Sequence, residues 1–142
     1  MSRKGNRSRS IYTITGFILG LLIVFSCLQS CSKSFEKELQ QASSDLNKTC
    51  PTLIDKETRL DNTAVLPGSV FQYNYTMVNI VKDSVNVDEV QKIMEPSLIN
   101  SVKTNPDLKI YRDNKVTLAY NYKDKNGVFV LKISVTPEKY EK

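Results

Sequence analysis

Three cysteines, 15 acidic side chains and seven tyrosines are the groups in this 142-residue chain that could carry chemistry, and the chain holds no His and no Trp. Without His, a Cys or Ser nucleophile lacks its usual base. A His-based metal site or pH switch is excluded for the same reason. Cys50 precedes Pro51 and reads as a small packing residue at a helix end. Two acid pairs lie close in sequence, Asp55 with Glu57 and Asp88 with Glu89. Carboxylates that hydrolyse a bond must face one cleft at a set separation, and adjacent residues on a helix do not face each other. Asp83, Asp88, Asp113 and Asp124 lack the spacing of a calcium loop, and Lys123-Asp124-Lys125-Asn126-Gly127 is too short and too basic to be one. The reading is therefore of no catalytic residue, no metal and no cofactor; the chain is not expected to be an enzyme.

The remaining chemistry is aromatic. Phe71, Tyr73, Tyr75 and Met77 alternate with Gln72, Asn74 and Thr76, and Val116, Leu118, Tyr120 and Tyr122 alternate with Thr117, Ala119 and Asn121. Strict alternation puts each apolar set on one face of a strand. Such a row either lines the core or stacks on a ligand or partner. Tyr73, Tyr75, Tyr120 and Tyr122 are accordingly the candidate partner-binding residues.

The elements that must hold this row can be read from periodicity. Ser34 to Asn47 has a helical stripe of Phe35, Leu39, Ala42 and Leu46, with Ser34 as cap. Thr52 to Ala64 reads as a strand, Val65 to Ser69 as a turn through Pro67-Gly68, and Val70 to Ile80 as a second strand paired antiparallel to the first. Asn86 to Lys103 returns to helical period, Asn86 and Glu89 resemble a capping box, and Pro96 is expected to kink or split the helix. Lys115 to Tyr122 and Val128 to Thr136 read as a second hairpin closed by Asn126-Gly127. Its return strand sets Phe129, Leu131, Ile133 and Val135 on one face. The order helix, hairpin, helix, hairpin predicts an α+β fold, a four-stranded antiparallel sheet with both helices on its apolar face.

Charge separates this body from what precedes it. Of the 20 basic residues, Arg3, Lys4, Arg7 and Arg9 fall in the first ten positions, leaving 16 basic against 15 acidic residues beyond them. A near-neutral body lacks the basic footprint of a nucleic-acid binder, so no nucleic-acid partner is expected. From Ser10 to Ser32 there is no charge, and Ile14 to Phe25 is an apolar core. A basic run followed by such a core is the layout of an export signal. The core ends in Leu28-Gln29-Ser30-Cys31, which resembles the lipobox of bacterial lipoproteins. That resemblance implies that the Cys31 thiol receives a diacylglycerol and that the chain is cleaved just before it. Val24-Phe25-Ser26-Cys27 is a poorer match because Phe25 is bulky, which leaves Cys27 as the alternative. Two other readings stand: an uncleaved helix spanning the bilayer once, and a soluble product of ordinary signal cleavage. All three put the body outside the cytoplasm, at the cell or outer membrane or beyond it. The domain limits are then 1–30 for the signal or anchor and 31–142 for one extracytoplasmic domain.

The motifs Asn105-Pro106-Asp107, Val116-Thr117-Leu118-Ala119-Tyr120 and Lys125-Asn126-Gly127, with Tyr73-Asn74-Tyr75-Thr76 before them, are similar to the C-terminal part of small exported bacterial proteins of an uncharacterised family. That resemblance implies a fold and an origin and no activity. The function expected is that of a membrane-tethered interaction or assembly protein in the periplasm or at the cell surface. The alternative is an inhibitor or immunity-type protein that blocks an exported enzyme.

Overall fold

In the computed structural model, which describes residues 35–142, the first element is a helix over residues 35–47, α1. The apolar core 14–25, Cys27, Cys31 and the Ser34 cap lie outside the described residues. The buried line of α1 differs from the expected stripe. Leu39 and Ser43 are 2% and 6% exposed, while Ala42 is exposed. Hydrogen bonding sets this choice: Ser43 Oγ lies 2.8 Å from Thr63 Oγ1, and the Asn47 amide bonds the Thr63 backbone. A spacing of four through Leu39, Ser43 and Asn47 therefore faces inward.

Five strands follow: β1 Thr52–Leu53, β2 Thr58–Leu66, β3 Val70–Met77, β4 Thr117–Lys123 and β5 Phe129–Val135. They form one sheet in chain order. The pairs β1–β2, β2–β3 and β4–β5 are antiparallel, and β3–β4 is parallel. The expected four-stranded antiparallel sheet is thus corrected to a five-stranded mixed one, and both differences have a local cause. Asp55 Oδ1 accepts from the Glu57 and Thr58 N–H groups at 2.7 and 2.8 Å. This side-chain turn splits the segment read as one strand, so Thr52–Leu53 folds back on Leu60 and Arg59. Between β3 and β4 runs α2, Val87–Thr104, of 18 residues. A helix of that length rises about 27 Å, the span of an eight-residue strand at about 26 Å. It carries the chain back to where β3 began, so Val70 pairs with Thr117 and the strands run parallel.

Asn86 caps α2 as expected, accepting from the Asp88 and Glu89 N–H groups at 3.1 and 3.3 Å. Pro96 does not split it. The helix is continuous, and Pro96 sits on an exposed side where one missing hydrogen bond is left to water. Two short helices complete the chain, α3 Lys109–Asp113 and α4 Pro137–Tyr140. Among the described residues no helix is long and apolar enough to cross a membrane.

The inner sheet face is the core: Phe71, Leu118 and Val135 are fully buried, with Ile133 at 2%. Tyr111 of α3 packs on Phe71 from this side, at 5.3 Å between ring centroids. Phe129 does not join the β5 row; it is 50% exposed, whereas Val130 is buried. Tyr122 pairs with Leu131 but Lys123 pairs with Phe129. One surplus residue, Val130, therefore bulges inward and turns Phe129 to the opposite face.

The turn that follows β4 is built on Asp124, which in sequence is weighed only against a calcium loop. Asp124, 1% exposed, accepts from the Lys82, Asn126 and Val128 N–H groups at 3.0, 2.8 and 2.9 Å. The Lys82 N–H, against the opposing effect of burial and with help from Val128 and Asn126, holds this carboxyl below the usual carboxylate range. Gly127 takes φ of +79°, the positive value expected of the Asn-Gly turn.

Candidate functional site

The parallel join between β3 and β4 builds the site. It pairs Tyr73 with Tyr120 and Tyr75 with Tyr122. In register on neighbouring parallel strands, like side chains stand side by side. The rings stack accordingly, at 5.5 Å and 11° for Tyr73–Tyr120 and at 5.2 Å and 17° for Tyr75–Tyr122. Along β3, Tyr73 and Tyr75 stack at 6.2 Å and 15°. Phe71 and Tyr111 extend the ladder at tilted angles. The four tyrosines singled out in sequence are therefore brought together. Tyr111 was missed there because it sits on α3, a five-residue helix with no strand pattern around it.

The four do not share one environment. Tyr120 and Tyr122 are 7% and 5% exposed and belong to the core, while Tyr73 and Tyr75 are half-buried. Burial pushes the Tyr75 phenol up to about 12 and lifts Tyr73, Tyr120 and Tyr122 further. Removing an anion from water is what costs here. At neutral pH each of these four tyrosines is a neutral phenol: an apolar ring with a hydroxyl that can donate and accept, and no base. The ladder can stack and hydrogen-bond. It cannot abstract a proton.

The other candidates are occupied elsewhere. Cys50 is a half-buried free thiol, and burial raises its pKa away from the reactive thiolate. Asp55 spends an oxygen on its turn and Glu57 accepts from Asn79 at 2.9 Å. Asp88 and Glu89 stand in the first turn of α2, where the helix dipole favours negative charge. Among the described residues no group of three or more Cys, Asp or Glu stands close enough to hold a metal ion.

Residues 34–131 match the family described as a domain of unknown function, DUF8479. The chain belongs to this family. No curated protein matches it in sequence. Solved structures that share the DUF8479 fold seen here include a candidate secreted protein from Pseudomonas aeruginosa, 12% identical with a TM-score of 0.64, over 75% of this chain and 93% of that one. The pilotin of the Vibrio vulnificus type 2 secretion system is 8% identical with a TM-score of 0.60, over 76% of this chain and 93% of its own. The type II secretion system pilotin of Vibrio cholerae is 16% identical with a TM-score of 0.56, over 75% and 93%. At these identities the likeness is one of fold.

Proposed function

We propose that this DUF8479 chain is a lipid-anchored envelope protein that works by holding a protein partner. In this reading residues 1–30 are the export signal, Cys31 carries the lipid, and 31–142 form one domain outside the cytoplasm. The observation that carries it is the fold shared with two type II secretion system pilotins across 93% of each. The Leu28-Gln29-Ser30-Cys31 motif supplies the tether. The β3 half of the ladder, Tyr73 and Tyr75, supplies the docking surface, since half-buried rings with neutral hydroxyls suit the centre of a protein interface. The role requires no catalysis.

The test is capture from detergent-solubilised membranes with the full-length chain as bait. One envelope protein should be recovered in stoichiometric amount, and Tyr75→Ala should lose it while Gln41→Ala, on an exposed turn of α1, keeps it. Thermal melts of both variants separate lost binding from lost fold. Cys31→Ser should lose lipid labelling and stay at precursor mass. Normal labelling and processing of that variant would transfer the anchor to Cys27. Recovery of no partner refutes the interaction role.

A further inference from the structure

We infer that the outer face of the sheet, opposite the tyrosine ladder, docks on an anionic lipid surface. The inference rests on the tethered reading above and adds to it which face of the domain meets the membrane.

Cross-strand pairing lays one row straight over all five strands: Leu53, Arg59, Thr76, Lys123 and Phe129. Directly paired residues share a face, and this is the face of Gln72 and Asn74, away from the core. The row has an apolar side chain at each end and cations between. Leu53 is 65% exposed and Phe129 50%. Each has an apolar neighbour, Ile54 at 56% and Val128 at 47%. These are four of the six large apolar side chains exposed among the described residues; Leu53 and Phe129 end the row on the outer face, and Ile54 and Val128 stand beside them just outside β1 and β5. Four strand spacings separate the edges by about 19 Å.

Charge on this face has one sign left over. Arg59 is paired with Asp61 at 2.6 Å, and Asp61 also accepts from Thr76 at 2.6 Å. Lys123 is exposed, and Lys132 in the next row donates to the neutral Gln72 at 2.8 Å. No acid on the face answers these two lysines; Asp55 and Glu57 stand at its rim in the β1–β2 turn, and Asp124 is buried and bonded to backbone. The rest of the Lys132 row is amide, with Asn74 donating to Asn62 at 2.7 Å and Asn121 to Asn74 at 3.1 Å. Apolar side chains that enter an interface, lysines at phosphate height and amides between them suit lipid headgroups. The tether decides for lipid over a soluble anion. Three residues, 32–34, lie between Cys31 and the described part of the helix at residue 35, a reach of about 14 Å fully extended over the four steps. A domain held that close presents some surface to the bilayer at all times, which raises the effective concentration of headgroups at any face that fits them.

The chain has no Trp, so one introduced Trp reports its own depth. Full-length lipidated protein carrying Phe129→Trp is reconstituted into vesicles of two parts phosphatidylcholine to one of phosphatidylglycerol, with acyl-brominated lipid as quencher. Phe129→Trp should shift to the blue and be quenched, and Ile93→Trp, at an exposed position of α2, should stay unquenched. In pure phosphatidylcholine, and with Lys123→Glu and Lys132→Glu together, the docked-to-undocked ratio should fall at least about thirtyfold, while co-sedimentation with the vesicles persists. Co-sedimentation with no quenching at position 129, or with equal quenching at 129 and 93, overturns the inference and leaves the tether standing. Loss of co-sedimentation from the parent protein overturns the tether itself and this inference with it.

Discussion

The Asn47 amide closes the sheet where its edge strand stops, and removing it should cost more than any α1 surface change. β1 covers β2 only at Leu60 and Arg59. Farther along, Asn47 Oδ1 accepts from the Thr63 N–H at 2.6 Å and its Nδ2 donates to the Thr63 carbonyl at 2.9 Å. One side chain thus makes both bonds that a neighbouring strand would make. Thr63 is 4% exposed, so water cannot replace them without displacing α1. Asn47→Ala deletes these two backbone bonds of about 1 kcal/mol each, along with the 3.1 Å bond that Asn47 Oδ1 accepts from Thr63 Oγ1, and strands a buried donor and acceptor, for a loss of about 2–4 kcal/mol. Helix propensity argues the other way, since Ala gains about 0.7 kcal/mol over Asn at most. The sign of the effect therefore decides between the two. A domain of about 100 residues loses roughly 4–8 °C in Tm per kcal/mol, so the melt followed by circular dichroism should drop by about 10 °C or more. Gln41→Ala, whose amide bonds only the exposed Asp45, should move it by less than about 0.5 kcal/mol. Asn47→Ala as stable as the parent in urea and in heat would refute the edge-closing role.

Three further outcomes are expected. Ile133→Ala, at a site 2% exposed, should destabilise by about 2–5 kcal/mol, whereas Phe129→Ala on the same strand should cost under about 1 kcal/mol; equal losses in denaturant titrations would mean that the bulge at Val130 is absent. Asp124 has a folded pKa below its unfolded one, so its stabilisation is complete above the unfolded value of about 3.9 and is lost as pH falls through the folded value. The acid-unfolding midpoint of Asp124→Asn should therefore be less steep in pH than that of the parent, and the same slope for both would remove Asp124 from the linkage. The ladder tyrosines have folded pKa values above their unfolded ones, so their contribution is complete below about pH 10 and is lost as pH rises through the folded values. Phenolate absorbance should then appear together with loss of far-ultraviolet ellipticity, and ionisation of all the tyrosines in a still-folded protein would contradict the burial of Tyr120 and Tyr122.

The sequence by itself determined the local elements and their faces, because these depend on neighbours within a few residues. The alternation through Phe71, Tyr73 and Tyr75 and through Leu118, Tyr120 and Tyr122 set the inner face, Asn86 set the start of α2, and Asn126-Gly127 set the tight turn. The absence of His set the limits on chemistry. Only the tertiary structure decided how those faces met. Whether β3 lies beside β4 parallel or antiparallel depends on the length of α2 and on how it packs, which no residue in either strand encodes. That join alone stacks Tyr73 on Tyr120 and Tyr75 on Tyr122. The same holds for Asn47 and Thr63, and for Asp124 and Lys82, which are 16 and 42 residues apart. Their bonds form because packing brings a polar side chain to a backbone that would otherwise be stranded. A bulge of one residue likewise turned Phe129 from the core to the outer face, since strand periodicity carries a side chain across the sheet at every single-residue step.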